Sequence, residues 1–370
     1  MIYLLIILSI PLLIYIIAKL VMLLPQFGQQ PKGKHLEKKS QSDYYIKGKF
    51  RTVERIRTNM SFTKVPTLIA QNNQQKVQKR PTGNIPIVKT FKEKHLEIKK
   101  AECRITWLGH SSFYLEMNGF KILIDPQLGK AASPLPFTVK RFTKEVPMTA
   151  DELPEIDLVL LSHDHYDHLD YATVKRIKQK VKKWIMPLGV GSHLQCWGIQ
   201  SDMISELDWW ESIDHLGITF TSTPNKHFSG RKTNDRNQTL WSSWVITGPN
   251  QNIFFSSDSG YWSGFKTIGD KYGPFDFCMV ECGQYNHLWR ENHMFPEESL
   301  QAFIDLKGQY MMPIHWGAFS LAPHDWREPI RRLMIAANEQ GISNITTPLI
   351  GQSITLGQTP YPKDPWWEKV

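Results

Sequence analysis

The sequence predicts an α/β fold in which two β-sheets pack face to face with helices on the outside. Short apolar segments of strand length fall into two groups, one before and one after the middle of the 370-residue chain. Helical patterns interrupt them at residues 171–183, 296–307 and 326–340. This order favours sheets covered by helices, and the region from about residue 101 to 357 is long enough for a single large unit.

The most informative predicted strand is 156–161, because the sequence His-Asp-His-Tyr-Asp-His follows it at 163–168. The segment therefore lies in the loop at a strand's C-terminal end, where α/β folds build their sites. Imidazole suits zinc and similar metals, and a carboxylate adds a charged oxygen. A His-rich polar turn is the alternative, but three imidazoles and a carboxylate in one turn-sized segment favour a metal site.

Three further predicted strands end near a residue of a type that binds metals. They are 217–223 before His227, 252–257 before Asp258 and 310–314 before His315. If these strands run parallel, the three residues share one sheet edge with the first motif. A single His or Asp after a strand is more often a hydrogen-bonded loop residue, so the prediction depends on their shared position beside the motif.

The order His-x-His-x-Asp-His, then His, Asp and His, resembles that of the metallo-β-lactamase-fold hydrolases. Four more segments resemble N-acylphosphatidylethanolamine-hydrolysing phospholipase D and its bacterial relatives: Trp-Leu-Gly-His at 107–110, Leu-Asp-Trp-Trp-Glu at 207–211, Gly-Pro-Phe-Asp at 273–276 and His-Trp-Gly at 315–317. The resemblance extends from about residue 85 to about 357. The chain departs from it at 281–285 and at 256–260, where Ser-Ser-Asp-Ser-Gly replaces a more usual Gly-Asp-Thr-Gly.

The resemblance implies a four-layer αββα sandwich that holds two divalent ions, with zinc as the expected metal. It assigns His163, His165 and His227 to one ion, Asp167, His168 and His315 to the other, and Asp258 to a bridge between them. It also implies a hydroxide shared by the two ions. Two ions about 3.5 to 4 Å apart lower the pKa of a bridging water toward about 7 and hold phosphoryl oxygens, so no protein nucleophile is required.

The candidate catalytic side chains are Asp167, His293 and His324. His293 matches the histidine that lies at the family's site just before a Pro-Glu-Glu helix start, and it is the first choice as the proton donor to the departing alcohol oxygen. His324 is the second choice, and a surface-loop histidine is the alternative for it. His110 supports the site or is a core or turn histidine; the sequence leaves both interpretations open.

Residues 1–24 form an apolar segment in which Lys19 is the charged residue. As a helix, about 24 residues extend roughly 36 Å, enough for a bilayer core of about 30 Å. A cleaved signal peptide is the alternative, but it requires a basic start and a small-x-small cleavage site, which are not evident. We therefore predict a single-pass transmembrane anchor over residues 1–25.

The segment after the predicted anchor is strongly basic. Residues 31–100 contain 18 Lys and Arg against 5 Asp and Glu, a local balance of +13 in a chain of net charge +9. Such a segment attracts anionic lipid head groups, and beside an anchor it places the following domain on the cytoplasmic side. A solvated linker is the alternative. No recognised nucleic-acid motif accompanies the charge, so nucleic acid is not an expected partner.

These observations divide the chain into an anchor at 1–25, a basic linker at 26–84 and a catalytic domain at 85–370. The function that they favour is a membrane-anchored, binuclear phosphodiesterase of phospholipase D type. It would hydrolyse an N-acylphosphatidylethanolamine-like phospholipid to phosphatidic acid and an N-acylethanolamine. The alternatives are a hydrolase of a lactone or β-lactam and, less favoured, a non-catalytic membrane-tethered binding protein. The expected partners are the phospholipid and the membrane, and the resemblance also implies a homodimer.

Overall fold

Two mixed β-sheets lie at the centre of the protein in a computed structural model that describes residues 2–54, 64–74, 77–89 and 101–370. A small hairpin, β1 (Tyr45–Ile46) and β2 (Lys49–Phe50), precedes them. The first sheet contains β3 (Cys103–Gly109), β4 (Ser112–Met117), β5 (Phe120–Ile124), β6 (Leu158–Leu160), β7 (Trp184–Pro187), β8 (Ile204–Leu207) and β15 (Ser353–Thr355). The second contains β9 (Ser212–His215), β10 (Ile218–Thr223), β11 (Ser243–Thr247), β12 (Asn252–Phe255), β13 (Phe277–Glu281) and β14 (Met311–Ile314).

The strand directions bring the predicted strand ends to one side. In the first sheet the order is β15-β3-β4-β5-β6-β7-β8, with parallel pairing from β5 to β8. In the second sheet the order is β14-β13-β12-β11-β10-β9. There β12, β13 and β14 are parallel, and β10 runs in the same direction because both β10 and β12 are antiparallel to β11. The C-terminal ends of β10, β12 and β14 therefore share one edge, as we predicted.

The helices are α1 (Ile2–Val21), α2 (Lys34–Ser40), α3 (Val65–Gln74), α4 (Tyr171–Ile177), α5 (Gly191–Cys196), α6 (Gly264–Tyr272), α7 (Pro296–Asp305) and α8 (Glu328–Glu339). Two of the predicted helices have nearly the expected bounds, but α4 ends six residues before the predicted residue 183. The chain leaves the helix early because Val181 pairs with Ile156 in an isolated bridge that leads into β7. Tertiary pairing thus overrides a helical pattern.

Alternate side chains of the strands face different layers. In β12, the Phe255 ring lies 6.2 Å from Phe113 of the first sheet, whereas the neighbouring Phe254 lies 6.4 Å from Phe265 of α6. On the far face of the first sheet, Tyr114 belongs to a separate apolar cluster with residues of α4 and α5. This alternation is the period of two of a β-strand. The layers are therefore helix, sheet, sheet and helix, in agreement with the expected αββα sandwich.

Part of the predicted linker packs against the domain. The Phe27 side chain is buried, and the His35 Nδ1 atom lies 2.9 Å from a carboxylate oxygen of Glu206. The Lys39 ammonium donates to the backbone oxygen of Gln238 at 2.9 Å. Residues 26–50 are therefore not a free linker, because their buried polar side chains have partners in the domain. Other parts of the predicted linker and basic segment, 55–63, 75–76 and 90–100, lie outside the described residues.

The predicted transmembrane anchor over residues 1–25 is not supported. Within the part of the chain that the structure describes, no helix has both the length and the apolar character needed to cross a bilayer. Residue 1 and the side chains of 2–11 lie outside that part. The placement of the domain on the cytoplasmic side depended on this anchor and loses its basis with it.

Candidate metal centre

The ligand segment 163–168 forms the loop after β6, and a carboxylate that the sequence analysis missed holds both of its ends. Asp125, which follows β5, accepts hydrogen bonds from Ser162 N at 2.7 Å and from Ser162 Oγ at 2.5 Å. Its Oδ2 atom also lies 2.7 Å from His168 Nδ1. Asp125 therefore orients His168 and fixes where the loop begins. Its position in the sequence could have identified it, because Asp125 directly follows an apolar strand, as Asp258 does.

The structure brings the seven predicted ligands together in two groups whose candidate ligand atoms lie within 4.8 Å of one another. One group contains His163, His165, His227 and Asp258, and the other contains His110, Asp167, His168 and His315. Two further groups overlap with these and join neighbouring carboxylates to them: Asp125 with His163 and His168, and Glu281 and His293 with Asp258 and His315. The division into the first two groups matches the predicted assignment to two ions and adds His110, whose Nε2 lies 3.0 Å from Asp167 Oδ2. His110 thus lies at the site rather than in a distant turn. The roles of the seven side chains as ligands stay a prediction.

Asp258 lies between the two groups. Its Oδ2 atom is 3.8 Å from His163 Nε2 and 3.7 Å from His227 Nε2. Its Oδ1 atom is 3.1 Å from His168 Nε2 and 3.0 Å from His315 Nδ1. Each carboxylate oxygen therefore faces a different group, which is the geometry that a bridging ligand requires.

Several buried polar atoms of the site fit a bound cation. His315 Nε2 is buried without a hydrogen-bond partner among the described residues, and the 3.1 Å contact between His168 Nε2 and Asp258 Oδ1 does not have the geometry of a hydrogen bond. Leaving such atoms unpaired in a protein interior is costly, whereas a cation would give each of them a partner. Imidazole nitrogens with carboxylate oxygens are a donor set for zinc and related first-row metals. The residues present therefore fit a divalent metal.

Most of the imidazoles have the protonation state that metal binding requires. Burial lowers the pKa of His165 to about 4 and holds the pKa values of His163 and His227 well below the ordinary value. Neutral imidazole is the form that binds a metal. Burial also lowers the pKa of His168, but the Asp258 and Asp167 carboxylates outweigh this effect and raise its pKa well above the ordinary value. Bound cations would replace the proton on His168 as partner of these carboxylates.

Further contacts orient the imidazole rings. His227 Nδ1 lies 3.0 Å from the backbone oxygen of Asn292, to which it can donate. The Ser111 hydroxyl lies 3.1 Å from His315 Nδ1. His315 and His110 have φ values of +66° and +55°, a left-handed backbone that is costly for residues other than glycine. The surrounding structure must therefore hold these two residues in place.

The two proton-donor candidates differ in their surroundings. His293 stacks on His315 with 5.2 Å between ring centroids, and its Nδ1 lies 2.9 Å from Glu281 Oε2. Both ring nitrogens of His324 are occupied by backbone groups, since Nε2 accepts from Gln284 N and Nδ1 donates to the Asp325 oxygen. The geometry favours His293 over His324. The sequence analysis missed Glu281, whose contact with His293 depends on tertiary packing.

Comparisons with known proteins agree with this geometry. Residues 121–316 match the Beta-lactamase superfamily domain. The chain is 40% identical over 267 residues to an uncharacterized protein of Mycobacterium tuberculosis, covering 71% of each chain. It is 32% identical over 263 residues to N-acyl-phosphatidylethanolamine-hydrolyzing phospholipase D 1 of Caenorhabditis elegans, covering 67% of this chain and 74% of that protein. A solved metallo hydrolase of the archaeon Ignicoccus hospitalis has the same fold, with a TM-score of 0.52 at 20% identity over 70% of this chain and 100% of that chain.

Proposed function

Because the chain belongs to the beta-lactamase superfamily of metal-dependent hydrolases, we propose that it is a phosphodiesterase of phospholipase D type. Its substrate in this proposal is an N-acylphosphatidylethanolamine-like phospholipid. Water cleaves the distal phosphodiester bond, and the products are phosphatidic acid and an N-acylethanolamine. The observation that carries the proposal is the position of Asp258 between two ligand groups, since a paired-ion centre suits the charged oxygens of a phosphodiester.

The bound ions, with zinc proposed for both places, would supply Lewis-acid polarisation of the phosphodiester. The chain's own residues supply the other requirements. Asp167 and Asp258 balance positive charge at the centre, and the imidazole contacts described above fix its geometry. His163, His227 and His315 stay neutral because burial lowers their pKa values, which keeps protons from competing for the same nitrogens.

His293 is the proposed proton donor to the departing alcohol oxygen. Burial raises the pKa of Glu281 well above its ordinary value, so the carboxyl group carries a proton that it can donate to His293 Nδ1. That hydrogen bond places the imidazole proton on Nε2, the nitrogen not engaged by Glu281. When the Nε2 proton passes to the departing oxygen, the Glu281 proton moves to Nδ1, so the ring stays neutral and Glu281 becomes a carboxylate. Stacking of His293 on His315 keeps the ring beside the centre.

A cavity of about 620 Å³ next to the ligand segment could hold part of a lipid. Its lining includes Tyr166, which lies between two predicted ligands in the sequence, together with apolar Leu128, Pro134 and Val146. Basic side chains, among them Lys130, also reach it. The volume is in the range of small-molecule pockets, and the combination of apolar walls with cationic groups suits an anionic amphiphile.

We also propose that the protein contacts a membrane surface. The described part of α1 exposes large apolar side chains, and the exposed fraction is 59% at both Leu12 and Leu20. The neighbouring basic segment would attract anionic head groups. Both features would bring the site to its substrate. The implied homodimer is a further prediction, which the molar mass in solution would test.

The deciding experiment supplies purified, metal-loaded protein with labelled phospholipids, a lactone and a chromogenic β-lactam. We expect phosphatidic acid and the N-acylated alcohol from N-acylphosphatidylethanolamine, identified by mass spectrometry. The Asp258→Asn variant is the control for contaminating activity. Hydrolysis of the lactone or β-lactam without phospholipid cleavage would favour the carbonyl-substrate alternative. Binding of lipid with no turnover of any substrate would favour a binding protein.

A further inference from the structure

The segment 25–29, which we call the strap, joins the N-terminal helix α1 to the domain directly behind the ligand segment. It begins with a short 3₁₀ helix at Pro25–Phe27. The Trp197 indole donates to the Pro25 oxygen at 2.7 Å, and the Phe27 ring meets Tyr166 edge to face at 6.1 Å. Because Tyr166 belongs to the ligand segment, the strap packs against the same loop that carries the predicted metal ligands.

The buried guanidinium of Arg231 joins the strap to both ends of that loop. Its Nη1 donates to the backbone oxygens of Asp164 at 2.5 Å and Leu169 at 2.9 Å. These carbonyls flank the predicted ligands at 165–168. Its Nε and Nη2 donate to the Gln26 oxygen of the strap at 3.1 and 2.6 Å. The planar fork of arginine makes these bonds at once, which the single ammonium of lysine cannot do.

The Tyr166 side chain completes the contact with Arg231. The Tyr166 hydroxyl donates to the Arg231 backbone oxygen at 2.5 Å, and the guanidinium lies 4.1 Å from the centre of the Tyr166 ring. Arg231 itself is only 4% exposed. Its donors therefore depend on these carbonyl partners, because water does not reach them readily.

A second chain of hydrogen bonds follows the same course. The Gln29 amide donates to His193 Nδ1 at 3.1 Å. His193 Nε2 lies 3.2 Å from Asp164 Oδ2, and the other oxygen of Asp164 accepts from Gly230 N at 2.8 Å. The strap is thus connected to the start of the ligand segment through His193 as well as through Arg231.

We propose that Arg231 is a positioning residue for the metal centre and that the strap completes its hydrogen bonds. Arg231 holds the carbonyls on both sides of residues 165–168, which fixes the curvature of the loop and the directions of its ligands. Displacement of the strap removes the Gln26 oxygen as a hydrogen-bond acceptor, so the Arg231 guanidinium and the loop carbonyls that it binds are less firmly fixed. The N-terminal segment therefore sets metal affinity, and this inference holds for any substrate.

Glycine substitutions provide a matched pair that tests the strap. A Cβ atom at Gly28 would lie 2.1 Å from His193 Nδ1, and its φ is +64°. Gly33 has a similar φ of +53°, but a Cβ atom there meets nothing within 4 Å. Gly28→Ala therefore displaces the strap, whereas Gly33→Ala imposes comparable backbone strain without the clash. Arg231→Lys keeps the charge and removes the planar fork.

The experiment titrates the metal-free full-length variants with Co²⁺ and records the visible absorption, which reports ligand geometry as well as affinity. We expect Arg231→Lys and Gly28→Ala to bind Co²⁺ at least tenfold more weakly and with altered bands. Gly33→Ala should match the parent protein. Parent-like affinity and spectrum in Arg231→Lys would overturn the positioning role, and identical behaviour of the two glycine variants would overturn the role of the strap. If Arg231→Lys does not fold, the comparison of Co²⁺ binding by Gly28→Ala and Gly33→Ala tests the proposal.

Discussion

At the scale of single residues, the site depends on how each buried carboxylate shares its charge. Asp258 directs one oxygen to each ligand group and Asp125 directs one oxygen to His168, whereas the protonated Glu281 donates to His293. These carboxylates lie almost entirely out of water. A change of charge at any of them is therefore poorly screened and should have a measurable effect.

We predict that Asp258→Asn retains the fold but loses at least 100-fold in kcat, because a neutral amide cannot balance two divalent cations. Metal content measured by elemental analysis should fall from about two ions per chain. The control is Asp276→Asn, since the Asp276 carboxylate lies away from the centre and accepts from the Asn252 amide at 2.7 Å. Full activity in Asp258→Asn would assign the bridge to another residue.

A second prediction concerns Glu281 in the metal-free protein. Burial raises the pKa of Glu281 well above its ordinary value, so the folded state keeps the proton that the unfolded chain releases above pH 4.5. The contribution of Glu281 to stability is therefore lost as the pH rises from 4.5 toward the folded-state pKa, by at most about 1.4 kcal/mol per pH unit. Glu281→Gln removes this loss.

Urea unfolding of both proteins at pH 5 and pH 7 with a chelator measures the difference. The advantage of Glu281→Gln in free energy of unfolding should grow between the two pH values. Parallel pH profiles would show that Glu281 is ionised in the folded protein.

The clustering of the seven predicted ligands could be predicted because each follows an apolar strand, and strand ends are local features of a sequence. Asp125 was not predicted, although it occupies the same kind of position, because its partner His168 is 43 residues away. Glu281 is the last residue of β13, where the strand pattern predicts burial but not the histidine that it meets. Contacts of this kind depend on the packing of distant segments.

At the scale of elements, close contacts between helices hold the outer layer over the second sheet. Gly269 of α6 lies against the C-terminal end of α7, where an added Cβ atom would be 2.1 Å from the Asp305 backbone oxygen. A glycine in a helix is normally unfavourable, so the close approach explains its presence. Helix propensity alone would have suggested alanine at this position.

We predict that Gly269→Ala lowers the free energy of unfolding by about 1–3 kcal/mol, despite the higher helix propensity of alanine. Thr267→Ala in the same helix is the control, because Thr267 is exposed. The control should be neutral or slightly stabilising. Denaturant midpoints measure the stability of both variants. If Gly269→Ala were more stable than the parent protein, α6 and α7 would have to separate readily.

The lengths of elements were less predictable than their existence. The apolar pattern over 171–183 continues past the end of α4, but the chain must turn there to place β7 beside β6. Composition also predicted a linker at 26–84, whereas residues 26–50 have buried partners in the domain. In both places the deciding contacts join residues far apart in the sequence.

At the scale of the whole molecule, apolar and basic surfaces precede the catalytic domain. The described end of α1 is exposed, and the strap follows it directly. Removal of residues 2–21 leaves the strap intact, so this truncation separates surface contact from support of the metal centre.

We predict that the protein lacking residues 2–21 cleaves detergent-dispersed phospholipid nearly normally but cleaves phospholipid in intact vesicles at least tenfold more slowly. Added salt should weaken its remaining vesicle binding, because screening acts on the Lys and Arg contacts. Rates in detergent and on vesicles, with vesicle sedimentation, test this. Loss of turnover in detergent would make α1 part of the catalytic unit, and equal vesicle rates would indicate a soluble substrate.

The predicted ligands come from loops of both sheets, and this has a consequence for unfolding. Residues 163–168 follow a strand of the first sheet, whereas His227, Asp258 and His315 follow strands of the second. Bound ions would therefore act as cross-links between the two halves of the sandwich, and free metal at 100 times its dissociation constant would add about 2.7 kcal/mol to stability. The melting temperature should then rise with the logarithm of metal concentration. A chelator would lower the stability of the whole protein. The activity of each variant of a predicted ligand therefore has to be compared with that of the parent protein under conditions in which the same fraction of both proteins is folded.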